Sequence, residues 1–237
     1  MNAQHLSKRL AKVAQYVPQN ARLADIGSDH AYLPVNLALN GKINYGIAGE
    51  VVEGPFKNAC HEIKKENLTT TVIPRLADGL AAINDEDRID TVTICGMGGT
   101  LIKNILEKGK IKLRNHPLLI LQPNVGSNIV RKWLFDNHYV IQNEEILEEE
   151  NHIYEIIIAY YTLNKSICPS IDDLLFGKQL RLHQNKAFKH KWEQEINKNQ
   201  QAISQMKQAK KIPHQRIKQL IQLNKHIKEV LQNDKSK

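Results

Sequence analysis

Strand and helix signals alternate through the first 163 residues, and that alternation limits the fold more than any other property of the chain. An amphipathic lead helix carries Leu6, Leu10, Val13 and Val17. Strand-like runs then recur at Leu23 to Ile26, Asn44 to Gly49, Val72 to Leu76, Asp90 to Cys95 and Leu118 to Gln122. Helical patterns follow them: one running to about Leu39, then Pro55 to Glu66, Gly79 to Ile83, Thr100 to Glu107 and Asn128 to Asn137. Two long β-rich runs, Tyr139 to Leu147 and Ile153 to Thr162, are separated only by EEENH, which predicts an antiparallel hairpin. Five βα repeats closed by such a pair give an α/β, doubly wound sheet with a reversed edge, and any ligand belongs at the carboxyl ends of its strands.

Polar residues gather at those ends. Strand one closes with Asp25-Ile26-Gly27, strand two with Gly49-Glu50 and strand three with Asp78-Gly79. Strand four closes with Cys95-Gly96-Met97-Gly98-Gly99, and strand five with Gln122-Pro123-Asn124. A carboxylate after strand two suits the vicinal hydroxyls of a ribose, and one after strand three suits the amino group of an adenine. A single acidic residue in such a place is better read as a helix cap. Three in register favour a nucleoside ligand.

The first turn, in RLADIGSDHAYLP, narrows the choice of nucleoside. A dinucleotide sets its pyrophosphate on the first helix N-terminus, which calls for repeated glycines and no carboxylate. Here Asp29, His30 and Ala31 occupy those slots. S-adenosylmethionine has no phosphate; it carries an ammonium and a sulfonium, so a carboxylate in the turn becomes favourable. A seven-stranded, mostly parallel sheet with a reversed hairpin is also the Rossmann-like arrangement typical of class I methyltransferases, by analogy of fold.

The positive charge lies outside this region. Residues 164–237 hold 16 Lys and Arg against 6 Asp and Glu, whereas residues 1–163 hold 17 against 19. A basic appendage on a near-neutral body suits a polyanion, although a lysine-rich helical hairpin kept soluble by its charges has the same composition. Trp192, Ile196, Asn199, Ile203 and Met206 follow 4-3-4-3 spacing within a helix read from Leu174 to Met206. Past Pro213, Ile217, Leu220, Asn224, Ile227 and Leu231 follow 3-4-3-4. The two seams predict an antiparallel, coiled-coil-like hairpin whose register Asn199 and Asn224 fix. Off the seams lie basic residues at positions read as exposed, among them Lys189, Lys191, Lys207 and Arg216, available to RNA phosphates.

LADIGSDHAYLP, IAGEVVEGPF, DGL, ICGMGG, LILQPN and ILEEENHIYEIIIA together resemble the bacterial tRNA (adenine-N1)-methyltransferases that modify adenine 22 of the D-arm. The resemblance spans essentially the whole chain. It implies a class I methyltransferase domain at 1–163, a helical coiled-coil domain for tRNA binding at 164–237, and S-adenosyl-L-methionine as cofactor. It further implies that Asp25, Gly27, Asp29, His30, Glu50, Asp78, Gly79 and the turn Gly96, Met97, Gly98 and Gly99 line the cofactor pocket. N1 of adenine carries a free lone pair only in an unpaired base, so the target must be captured and held in line with the methyl. Asp29 and Asn124 are the polar residues expected near N6 of that base, with Tyr32 and Met97 framing its ring. Lys189, Lys207 and Arg216 are expected on the tRNA backbone.

Two other readings remain: the same cofactor with another RNA or a small molecule, and a non-enzymatic RNA binder. A small substrate gives no reason for the basic tail, and a degenerate scaffold gives none for the retained carboxylates. Cys60, Cys95 and Cys168 have no C-x-x-C spacing, and the histidines other than His30 have no partners at ligand spacing, so neither a disulfide framework nor a metal site is expected. No apolar run reaches the roughly 20 residues that span a bilayer, and the N-terminal stretch has no signal-like apolar core. A cytoplasmic monomer is expected.

Overall fold

The structure is a computed structural model that describes residues 2–164 and 168–233. Helix α1 (Lys8–Tyr16) leads into β1 (Ala21–Ile26), α2 (Tyr32–Leu39), β2 (Ile43–Glu50), α3 (Glu53–Lys65) and β3 (Val72–Leu76). A 3-10 turn at Gly79–Ala82 precedes β4 (Thr91–Gly98), α4 (Gly99–Lys108), β5 (Leu118–Val125), α5 (Ser127–Asp136), and the hairpin of β6 (Tyr139–Glu149) with β7 (His152–Tyr161). The seven strands lie in the order β3-β2-β1-β4-β5-β7-β6, with β7 antiparallel to both neighbours. The strand order reverses between β1 and β4, which puts the ligand crevice above that pair.

Alternate residues of each strand feed opposite faces. Leu119 and Leu121 pack with Ile102, Leu106, Val130 and Leu134 beneath α4 and α5, while Ile120 packs with Leu23, Val13, Val17, Leu33 and Leu37 beneath α1 and α2. Helix α2 differs from the amphipathic expectation: Leu33, Pro34, Val35 and Leu37 are all buried, because the helix is wedged between the sheet and α3. β4 and β5 run further than their apolar cores suggest. Met97 pairs with Pro123 and Gly98 with Val125 after a shift at Gly96, whose φ is 77°. Pro123 is tolerated there because the irregular ladder asks no N–H of it.

The tail departs most from its sequence pattern. The single helix expected from Leu174 to Met206 is three: α6 (Ile171–Phe176), α7 (Lys178–His183) and α8 (Lys186–Lys207), followed by α9 (His214–Gln232). Gly177 (φ 82°) and Gln184 (φ 39°) make the breaks, and the Asn185 side chain caps α8 by accepting from the Phe188 N–H at 2.9 Å. The register prediction holds: Asn199 Nδ2 donates to Asn224 Oδ1 at 2.9 Å, both residues buried. At the far end Val230 is buried and Leu231 only partly so, and Ile203 and Met206 are half-buried as the seam fades toward the loop. The core of the tail is shared with the sheet, because Ile146 and Ile153 of the hairpin join Phe176, Phe188, Trp192, Ile196 and Ile227 in one cluster.

Candidate active site

The β1–α2 turn explains how non-glycine residues fill glycine slots. Gly27 has φ 69°, a left-handed conformation that favours glycine, and a Cβ there would displace the flexible end of Met97, whose Cε lies 2.0 Å away. Asp29, His30 and Ala31 then follow at φ 38°, 61° and 57°, three successive residues in the left-handed region, each costing about 1 kcal/mol or more. Their surroundings hold them there. The Asp29 N–H donates to the Glu50 carboxylate, the Gly27 and Ser28 N–H groups donate to the Gly49 carbonyl at 2.9 and 3.2 Å, and the His30 ring stacks on Tyr32 at 5.1 Å. His30 Nε2 lies 3.6 Å from Asp29 Oδ1, and the Asp29 carboxylate stands largely in the open crevice.

Asp25 lies beneath the turn rather than on its open face. It is 3% exposed, and its two oxygens accept from Ser28 Oγ at 2.5 Å and Thr93 Oγ1 at 2.6 Å. Burial pushes its carboxyl up to about 6, and the two hydroxyls only partly offset that. A folded-state value above the unfolded one means that the native state holds the proton more tightly. Stability from Asp25 is therefore present at low pH and lost as pH rises through about 6, on the order of 2–3 kcal/mol. Asp25→Asn is expected to unfold at a higher temperature than the native chain, by a margin that grows from about pH 4, where the unfolded carboxyl ionises, to about pH 6, where the buried one does, and is level above that. A margin independent of pH in thermal melts would contradict this account.

Glu50, 6% exposed, ends β2 with one oxygen on the Asp29 N–H, and burial raises its carboxyl above the usual range. Its backbone carbonyl accepts from the Ala77 N–H at 2.7 Å, which brings the β3 end alongside. Asp78 sits at the edge of the crevice, paired with Lys108 of α4 at 2.5 Å. Next to it Gly79, Leu80, Ala81, Leu101 and Ile105 line a cavity of about 320 Å³. Val51, Leu101 and Val125 are exposed at the strand ends, an apolar rim suited to the flat face of a base. Val51, Leu101 and Val125 come from three separate segments, so nothing local in the sequence announces the rim.

Sequence reasoning also missed Arg9, and it placed Gln122 at the end of strand five without giving it a role. Gln122, wholly buried, accepts with Oε1 from Arg9 Nη1 at 2.5 Å and from the Gly96 N–H at 2.9 Å. Its Nε2 donates to Asn124 Oδ1 at 3.0 Å, and Asn124 Nδ2 donates to the Gly96 carbonyl at 2.9 Å. Asn124 therefore clamps the β4 end to the β5 end from within the strand ladder. Gly27, Asp29, His30, Glu50, Gly96, Met97, Gly98 and Asn124 gather at the carboxyl ends of β1, β2, β4 and β5, with Tyr32 opening α2, Asp78 and Gly79 following β3, and Asp25 buried beneath the first turn.

The tail lysines divide into two groups. Lys207, Lys210, Lys211, Arg216, Lys218 and Lys225 are exposed around the α8–α9 loop and along α9, and Lys189 is half-buried. Lys191, read from its spacing as free for RNA, is instead directed inward to the buried Glu155 of β7.

A family model described as tRNA (adenine(22)-N(1))-methyltransferase matches residues 23–232. The Bacillus subtilis tRNA (adenine(22)-N(1))-methyltransferase is 40% identical over 236 residues, covering 98% of this chain and 99% of that one. A Streptococcus pneumoniae protein solved in complex with S-adenosyl-L-methionine is 40% identical with a TM-score of 0.87, over 96% of this chain and 100% of its own. An M. capricolum protein solved with S-adenosyl-homocysteine is 27% identical with a TM-score of 0.84, over 94% and 96%. On this match of sequence and fold along nearly its whole length, the chain belongs to the tRNA (adenine(22)-N(1))-methyltransferase family.

Proposed function

We propose that this chain methylates N1 of adenine 22 in the D-arm of tRNA, with S-adenosyl-L-methionine as methyl donor. The observation that carries the reading is the first turn: a left-handed run bearing Asp29 and locked onto Glu50 offers carboxylates where a phosphate binder offers N–H groups. The residues fit the cofactor. The Glu50 oxygen not taken by Asp29 would hold the ribose, Asp29 the ammonium, and the pocket beside Asp78 and Gly79 the adenine. When bound, the cofactor supplies an electrophilic methyl carbon: the N1 lone pair forms the new N–C bond as the C–S bond breaks, leaving its electron pair on sulfur.

No proton has to leave N1, so the chain supplies position and charge rather than a general base. The exposed Asp29 carboxylate favours the cationic product ring, Asn124 Oδ1 has a lone pair left to accept from N6, and Tyr32 and Met97 frame the base. Residues 164–237 would bind the tRNA backbone through Lys207, Arg216 and their neighbours, with Lys189 at the base of the helices; 1–163 would carry the chemistry. The protein would act as a cytoplasmic monomer. No helix among the described residues is long and apolar enough to cross a membrane.

The test is methyl transfer from labelled cofactor to unmodified bacterial tRNA, read by reverse transcription. A new stop beside adenine 22 is the expected result; incorporation with stops elsewhere would overturn the target, and none at all, with cofactor binding intact, would overturn tRNA as the substrate. Deleting residues 164–237 is a poor companion test, because it strips the shared cluster around Ile146 and Ile153. Replacing Lys207, Lys210 and Lys211 by Gln is cleaner: tRNA affinity should fall, and the slope of log affinity against log salt should shrink by about 1 for every phosphate no longer neutralised, with cofactor affinity unchanged.

A further inference from the structure

Arg9 enters the crevice from outside the βα repeats. The backbone N–H groups of Lys8 and Arg9 donate to the Glu149 carboxylate at 2.6 and 3.1 Å, which pins the first turn of α1 to the end of the hairpin. From that anchor the guanidinium passes over the Tyr154 ring, 5.2 Å from its centroid, and reaches Gln122. Neither the mechanism above nor the strand-end pattern gives it a role.

The chemistry of the donors fixes what it does. A guanidinium and a backbone N–H can only donate, so the Gln122 atom that faces both Arg9 and Gly96 must be its oxygen. The Gln122 NH2 then faces Asn124, and only an oxygen can meet it there. The Asn124 NH2 is thereby turned to the Gly96 carbonyl. One permanent cation, together with the Gly96 N–H and through one wholly buried amide, fixes the orientation of the exposed Asn124 amide. A free asparagine at a strand end could flip; this one is held at both ends.

We propose that Arg9 is a positioning residue for methyl transfer, acting through Gln122 to hold Asn124 Oδ1 as an oriented acceptor for N6 of the target adenine. The inference rests on the reading that Asn124 touches that base. Arg9 does not touch the reacting atoms. Without it, the Gly96 N–H alone orients Gln122, and a buried acceptor lone pair is left without its partner. A contact from Arg9 to an RNA phosphate is the competing role, and it differs in where the loss appears.

The test is a double-mutant cycle on the full chain, with Arg9→Met, Asn124→Ala and both together. Turnover, KM for tRNA, cofactor affinity and melting temperature are measured for each. Arg9→Met is expected to lower kcat by about 10- to 100-fold, as misplacing a catalytic contact does, with KM and cofactor affinity within about twofold. The double variant should be no slower than Asn124→Ala alone, and Arg9→Lys should recover part of the loss. Gln122→Met breaks the same relay from its centre and should match Arg9→Met, so it carries the cycle if Arg9→Met does not fold. Multiplying losses, a loss confined to KM that grows with salt, or native kcat in Arg9→Met would each overturn the proposal. Native kcat in Asn124→Ala would instead overturn the contact on which it rests.

Discussion

Replacing Arg131 by methionine is expected to lower the melting temperature by about 10 °C, since breaking a buried ion pair costs about 3–5 kcal/mol. Arg131 lies on α5 and is 1% exposed. Its Nε donates to Glu144 Oε1 at 2.7 Å, its Nη2 to Glu155 Oε2 at 2.8 Å and its Nη1 to the Leu174 carbonyl at 3.2 Å. Lys191 of α8 completes the cluster on Glu155. Without Arg131, two carboxylates stay buried with one lysine between them. Burial alone would raise the Glu155 carboxyl, but Arg131 and Lys191 outweigh it and hold it at about 2. A folded-state value below the unfolded one gives stability that is present above about pH 4.5 and lost as pH falls toward 2. The stabilisation from this cluster should therefore shrink on acidification, so the gap in melting temperature between the native chain and Arg131→Met should narrow from neutral to acidic pH. Adding Glu144→Gln and Glu155→Gln to the variant should return much of the loss. Thermal melts at about pH 7 and at about pH 3, on either side of the ordinary carboxylate range, decide the matter. An unchanged melting temperature at neutral pH would remove the cluster from any account of stability.

Glu50→Ala carries the largest expected effect on ligand binding. The carboxylate both fastens the Asp29 N–H and offers its second oxygen to a ribose, and hydrogen bonds to a charged group are worth about 1.5–3 kcal/mol each. Losing both roles should weaken S-adenosylmethionine by about 100-fold or more in calorimetry. Glu50→Gln keeps an oxygen for Asp29 and should fall between the two. Because burial raises the Glu50 carboxyl, affinity in the native chain should decline on acidification before ordinary carboxylates protonate. Native affinity in Glu50→Ala would move the ribose elsewhere.

The sheet was legible because its signal is local: Leu119, Ile120 and Leu121 announce a strand buried on both faces, and an acid after such a run announces its carboxyl end. The expectation that Asn199 meets Asn224 succeeded for a similar reason, since each breaks an apolar seam at a matching place. What was missed depends on partners distant in sequence. Arg9 is an ordinary basic position of an amphipathic helix until Gln122, 113 residues away, meets it. Lys191 reads as a solvated charge because nothing in its own helix shows that Glu155 is buried beneath it. Pro123 suggests a turn, and only the shifted ladder with β4 keeps it in the strand. Gly177 breaks a helical pattern because a Cβ there would lie 2.6 Å from the Arg131 guanidinium, a crowding fixed by the other half of the chain.

The cluster that joins Ile146 and Ile153 to Phe176, Phe188, Trp192 and Ile227 has a consequence for how such a protein could arise and change. A helical pair that buries its base against the sheet is no transferable cassette: grafted onto another enzyme, it would arrive with the side that meets Ile146 and Ile153 uncovered and Lys191 without its carboxylate. The two halves are bound to diverge in step, each substitution in the hairpin answered in the helices. The distance and angle from crevice to helix tips are then inherited as a fixed ruler, which suits an enzyme that must find one nucleotide in a folded RNA by shape.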